Sequence, residues 1–62
     1  MSTRERLATA IEGARDALAA LSDELEAGSG VVVLDNVCGV VEHEVRSITR
    51  AVKDIAREGG EG

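Results

Sequence analysis

Apolar residues recur at alternating steps of four and three residues through the second half of the chain. The residues of this row are Leu34, Cys38, Val41, Val45, Ile48, Val52 and Ile55. Such a rhythm keeps one narrow stripe of an α-helix apolar, and a partner helix packs along a stripe of this kind. The first half carries a matching row of Leu7, Ile11, Ala14, Leu18, Leu21 and Leu25. The sequence therefore predicts an all-α protein of two long helices.

Local signals predict where helix 1 begins and ends. Ser2 and Glu5 have the S-x-x-E spacing of a capping box, so we expect a helix over about residues 3–27. A turn is expected at residues 28–30, Gly-Ser-Gly, because glycine is favoured where a helix stops. Three residues suffice to turn one helix back against the next. The chain is thus predicted to form one antiparallel helical hairpin, a single domain covering residues 1–62.

The start of helix 2 has two interpretations. Residues 31–34, Val-Val-Val-Leu, match a short β-strand, in which case Asp35 caps a helix that follows it. Such a short strand would find no partner strand in the chain and could pair only with a second copy. We therefore expect helix 2 over about residues 31–57, followed by a frayed tail at residues 58–62.

A chain of 62 residues is near the size at which a single core is marginal, and its one cysteine offers no disulfide pair. We call the two apolar rows, Leu7–Leu25 and Leu34–Ile55, the seams of the two helices. In the helical interpretation Val33, Val37 and Val40 form a second apolar strip beside the seam of helix 2. A helix that is apolar on more than one face is expected to be buried on more than one side. We therefore predict that two hairpins associate as a homodimeric four-helix bundle with coiled-coil packing. The predicted dimer and core interface consists of Leu7, Ile11, Leu18, Leu21, Leu25, Leu34, Val37, Cys38, Val41, Val45, Ile48, Val52 and Ile55.

Charge is sorted along the predicted hairpin. Every charged side chain between Ala17 and Glu44 is acidic, so the loop end is negative. All Lys and Arg residues lie toward the open end, at Arg4, Arg6, Arg15, Arg46, Arg50, Lys53 and Arg57. An antiparallel pair of hairpins sets each acidic end beside the partner's basic end, which favours that orientation.

Composition excludes several classes of function. The chain has no Phe, Tyr or Trp and a formal net charge of −5. The missing aromatic rings argue against stacking on single-stranded nucleic acid and against a small-molecule pocket, so no cofactor and no small-molecule substrate are expected. The negative charge argues against binding an anionic membrane. There is neither a signal-peptide pattern nor an apolar run of transmembrane length, and a cytoplasmic location is expected.

A basic stripe on helix 2 is the first candidate site. His43, Arg46, Arg50, Lys53 and Arg57 share the face opposite the seam. Cations at this end of a helix are favoured by the helix dipole, so a solvated face explains the pattern. The functional alternative is binding of an acidic protein or of nucleic-acid phosphate through Arg46, Arg50, Lys53 and Arg57.

Other candidate residues have simple structural explanations. Cys38 is expected to be a small buried apolar residue of the seam rather than a redox group, and a nucleophilic role is not expected because His43 is on another face. Glu42, His43 and Glu44 are metal-ligand types, but adjacent helical positions diverge by about 100° and no metal site is expected. These placements argue against an enzyme.

An acidic strip follows the outer face of helix 1, formed by Glu5, Glu12, Asp16, Asp23 and Glu26. A solvent-exposed face is sufficient to explain these carboxylates. The alternative is that the chain is an inhibitor whose carboxylates mimic nucleic-acid phosphate and occupy a basic groove on a target protein.

The outline resembles the small Rop proteins of plasmids in length, in the short central turn, in the paired seams Leu7–Leu25 and Leu34–Ile55, and in the apolar Cys38. The resemblance implies a two-helix hairpin that dimerises as an antiparallel four-helix bundle. Rop-type RNA binding uses polar, basic and aromatic residues on the outer face of helix 1. This chain has Thr9, Glu12, Asp16 and Asp23 there, so the resemblance does not imply RNA binding through helix 1.

The sequence thus predicts a small non-enzymatic protein–protein interaction or assembly module, acting as a regulator, inhibitor or accessory subunit. Its expected partners are a second copy of the chain and another protein. The alternative is a nucleic-acid-binding regulator of Rop type.

Overall fold

The computed structural model of the chain describes residues 2–59 and contains two α-helices in that range. Helix α1 spans Thr3–Glu26 and helix α2 spans Val31–Glu58. They lie side by side in a rod of 47 × 16 × 15 Å. The predicted all-helical hairpin is confirmed. Residues 31–34 belong to α2 rather than to a strand, and of the predicted tail, residues 60–62 lie outside the described residues.

Helix α1 begins at a capping box, as the spacing of Ser2 and Glu5 predicted. The backbone N–H of Glu5 donates to the Ser2 hydroxyl at 3.1 Å, and the Ser2 N–H donates to Glu5 Oε1 at 2.8 Å. These bonds satisfy N–H groups that the first turn of a helix leaves without intrahelical partners.

The turn between the helices is built on Gly28. Its φ angle is +77°, in the left-handed region that glycine enters at little cost. The N–H groups of Gly28 and Ser29 donate to the carbonyls of Leu25 and Glu24 at 3.2 and 3.0 Å. This pair of bonds is the Schellman motif, and it ends α1. Gly30 then serves as the N-cap of α2 without a side-chain hydrogen bond.

The interior between α1 and α2 is lined by alanine. The buried residues of the described chain are Ala10, Ala14, Ala17 and Ala51. Larger side chains extend this contact at half-buried positions, namely Leu7 and Leu21 on α1 and Leu34, Val37, Val41, Ile48 and Ile55 on α2. Small side chains at the centre allow the two helices to approach closely, and they bury little apolar area.

Polar contacts join the helices at the open end of the hairpin. The Thr3 hydroxyl donates to the Glu58 carboxylate, and Arg6 Nη2 lies 2.6 Å from Asp54 Oδ2. Together with the Gly28 turn at the other end, these contacts fix how far α1 extends along α2. Neither helix has a stretch apolar enough to cross a membrane within the described residues.

Candidate protein-interaction surface

One side of the hairpin exposes a row of large apolar side chains, which we call the apolar flank. Leu18, Val45 and Val52 retain 53%, 49% and 48% of their accessible surface there. The flank consists of Ile11, Leu18 and Leu25 on α1 and Val31, Cys38, Val45 and Val52 on α2. Successive members on each helix are seven residues apart, which keeps them on one face. A monomer in water leaves this face unburied.

The two halves of the apolar flank meet near the turn. There Leu25 of α1 and Val31 and Cys38 of α2 line one open groove of about 420 Å³, whose other walls are Leu21, Leu34 and Asp35. The groove shows that the α1 row and the α2 row face the same side of the hairpin. The flank is therefore one surface along most of the rod.

The structure divides the predicted interface between two surfaces. Seven of the thirteen residues lie at half-buried positions between α1 and α2, namely Leu7, Leu21, Leu34, Val37, Val41, Ile48 and Ile55. The other six, namely Ile11, Leu18, Leu25, Cys38, Val45 and Val52, lie exposed on the apolar flank. Each predicted seam thus supplies alternate residues to the hairpin contact and to the exposed surface.

The opposite flank is mainly polar toward the open end. Gly13 faces Glu44 so closely that an added Cβ would lie 2.7 Å from Glu44 Oε1. Arg6, Thr9 and Ser47 complete an open depression around this contact. Near the turn the same flank carries Val33 and Val40, which are 41% and 52% exposed. Of the predicted second apolar strip, Val37 alone is half-buried against α1.

The predicted basic stripe is exposed along α2. His43, Arg46, Arg50, Lys53 and Arg57 are all exposed, and we call this surface the basic face. An open groove of about 530 Å³ runs along it and reaches Val45 of the apolar flank. Between residues 2 and 59, Arg46, Arg50 and Lys53 form no ion pair.

Among residues 2–59, Asp54 is the one carboxylate within ion-pair distance of two cations. It lies 2.6 Å from Arg6 Nη2 and 3.2 Å from Arg57 Nη1. The hydrogen bond from Arg6, aided by the charges of Arg6, Arg57 and Arg50, holds the pKa of Asp54 below its usual value, against a smaller opposing effect of desolvation. This carboxylate was not singled out by sequence reasoning, because the Arg6 contact spans 48 residues.

The remaining candidate residues do not converge on a common site. Cys38 is exposed on the apolar flank of the hairpin rather than buried as predicted, because the contact of α2 with α1 is made by the alternate seam residues Leu34 and Val41. The five residues of the acidic strip, Glu5, Glu12, Asp16, Asp23 and Glu26, are exposed on α1. Across residues 2–59, no group of three His, Cys, Asp or Glu side chains is placed to hold a metal ion.

Sequence reasoning missed two contacts within the hairpin. Ala51, only 3% exposed, packs at its centre, and Glu44 lies against Gly13. Ala51 sits three residues after Ile48 and four before Ile55, so the same four-and-three spacing could have indicated it. A glycine inside a helix is a local signal of close approach, so the sequence marked Gly13, but its partner Glu44 depends on how the helices pair. Comparison with protein-family models, with curated proteins and with solved structures found no match to this chain.

Proposed function

We propose that the chain is a non-enzymatic protein–protein interaction module that acts as a homodimer, two hairpins forming an antiparallel four-helix bundle. The observation that carries the proposal is the apolar flank. Large Leu, Ile and Val side chains, from 39% to 77% exposed, stand in two rows on one side of the hairpin, whereas the buried positions among residues 2–59 hold only alanine. Contiguous exposed apolar surface of this kind marks an association site.

The dimer would supply what the hairpin lacks. Covering a side chain that is already half buried contributes roughly 1 kcal/mol, since full burial of Leu or Val contributes about 1.5–3 kcal/mol. Each copy brings Ile11, Leu18, Leu25, Val31, Val45 and Val52 to the contact. A second copy of the same flank is a fitting partner, because a two-fold interface joins identical patches. In its dimeric form the module would present its outer faces to another protein.

Sedimentation equilibrium at micromolar concentration tests the dimer. We expect a species of twice the 6.5 kDa chain mass. Val45→Glu places a carboxylate at the centre of the flank, where its desolvation should weaken association at least 100-fold. The matched control is Val32→Glu, because Val32 is 70% exposed and lies outside the flank.

The control variant should remain dimeric and helical. A wild-type chain that sediments as a folded 6.5 kDa species would overturn the proposal, and so would a Val45→Glu variant that dimerises as tightly as Val32→Glu.

The basic face supports a second candidate function, binding of nucleic-acid phosphate. Arg46, Arg50 and Lys53 are exposed and lack ion-pair partners among residues 2–59. Phosphate binding by these cations predicts a complex with duplex RNA in a gel shift at low salt, weakening steeply as salt is added. Arg46→Ala combined with Arg50→Ala should abolish the shift, whereas Arg4→Ala with Arg15→Ala, an equal change of charge on α1, should retain it. Absence of a complex at low salt would exclude this function.

A further inference from the structure

We propose a specific arrangement for the second copy on the apolar flank. The partner lies antiparallel, α1 packs against the partner's α1, α2 packs against the partner's α2, and the two-fold axis passes beside Val45. This inference rests on the proposed dimer and specifies its geometry. It follows from symmetry, from the midpoints of the helices and from the distribution of charge.

Symmetry leaves two arrangements when the same flank of two hairpins is brought face to face with their axes aligned. In one, the turns lie at opposite ends and each helix faces its own counterpart. In the other, the turns lie at the same end and α1 faces the partner's α2. Both are two-fold interfaces, so charge and register must distinguish them.

Charge favours the arrangement with turns at opposite ends. The turn end carries Asp23, Glu24, Glu26 and Asp35, and no Lys or Arg lies between Ala17 and Glu44. Placing two such ends together would set like charges side by side. Placing them at opposite ends sets each acidic turn beside the partner's open end, whose charges are mixed but where cations outnumber carboxylates, and opposite charges across an interface select orientation. The cations there are Arg4, Arg6, Lys53 and Arg57, and the carboxylates are Glu5, Asp54 and Glu58.

The midpoints of the helices fix the register. The middle of Thr3–Glu26 falls beside Ala14, and the middle of Val31–Glu58 falls beside Val45. These levels coincide across the hairpin, because Gly13 and Glu44 are in direct contact. A two-fold axis at this height therefore overlaps both helices along their full length. Val45 then meets the partner's Val45, and Cys38 meets the partner's Val52, since both lie seven residues from Val45.

Disulfide mapping tests this register. Cysteine variants are oxidised with diamide, which takes up the two protons and two electrons released when an S–S bond forms, and covalent dimers are read on a non-reducing gel. A disulfide requires Cα atoms within about 7 Å. We expect Val45→Cys in a Cys38→Ser background to cross-link at the axis, and Val52→Cys to cross-link through the native Cys38.

Two matched controls should fail to cross-link. In the proposed register the wild-type Cys38 lies about 21 Å from its symmetry mate, from 14 residues at about 1.5 Å each. The same separation applies to Val52→Cys in the Cys38→Ser background. Cross-linking of either control as fast as the Val45→Cys variant would overturn the register.

Sedimentation of the same variants separates the two proposals. If they are dimeric yet Val45→Cys does not cross-link, the arrangement is wrong and the dimer stands. If the wild-type chain is monomeric, both proposals fall.

Discussion

At the scale of the residue, Gly28 shows how one backbone angle ends a helix. Its φ of +77° allows the N–H groups of Gly28 and Ser29 to bond the last carbonyls of α1. Among the described residues, no atom beyond Gly28 and its two chain neighbours lies within 4 Å of the position a Cβ would take, so a substitution there acts through the backbone alone. Because both the glycine and its role are local, the sequence predicted this turn.

Gly28→Ala should lower the free energy of unfolding by about 1 kcal/mol, the cost of left-handed backbone for an L-residue. The matched control is Gly39→Ala, inside α2, where an added Cβ also meets nothing within 4 Å. That change should raise the free energy of unfolding by up to about 1 kcal/mol, because alanine has the higher helix propensity. Urea unfolding followed by circular dichroism, at one fixed protein concentration, measures both. Shifts of the same sign would contradict this account.

At the scale of the element, the sequence predicted two helices and their apolar rows but not how each row is shared. The spacing assigned Leu18 and Leu21 to one seam, yet Leu21 faces α2 and Leu18 lies on the apolar flank. Periodicity defines which residues share a broad face and leaves the rotation of the helix about its axis open by part of a turn. That rotation is set by Ala10, Ala14 and Ala17, whose small size lets α2 approach on their side.

The ion pair of Asp54 gives the contact between the helices a pH dependence. Contacts with Arg6 and Arg57 lower the pKa of Asp54 in the folded state, whereas its ordinary value is 3.8. A depressed pKa contributes stability above the ordinary value, and that stability is lost as the pH falls through the folded pKa. Asp54→Asn should therefore lower the Tm at pH 7, and the difference from wild type should shrink as the pH is taken below about 3.8.

Thermal unfolding at equal protein concentration measures this difference at neutral and acidic pH. Asp16→Asn is the control, because Asp16 is exposed on α1 and forms no ion pair among residues 2–59. It should leave the Tm near that of wild type at pH 7. A difference between wild type and Asp54→Asn that stays constant down to pH 2.5 would show that the ion pair does not carry the effect.

At the scale of the whole molecule, the proposed dimer would carry positive charge on one side and negative charge on the other. Packing α2 against the partner's α2 places the basic faces of both copies on one side, and the groove along each basic face reaches Val45 at the proposed axis. The acidic strips of the two α1 helices then lie together on the other side. The sequence predicted the basic face and the acidic strip of one chain. How the two basic faces and the two acidic strips of a dimer lie relative to each other depends on the pairing of the chains, which no pattern within one chain specifies.

The alanine interior has a mechanical consequence. At the four buried positions alanine methyl groups resist the sliding of one helix along the other less than large side chains would, so interlocking falls to the half-buried Leu, Ile and Val residues around them. The Gly28 turn at one end, and the Thr3–Glu58 and Arg6–Asp54 contacts at the other, therefore add to the axial positioning of α1. Protonation of Asp54 removes the charge that Arg6 binds, so acidity weakens one of the contacts that hold the first helix in place along the second.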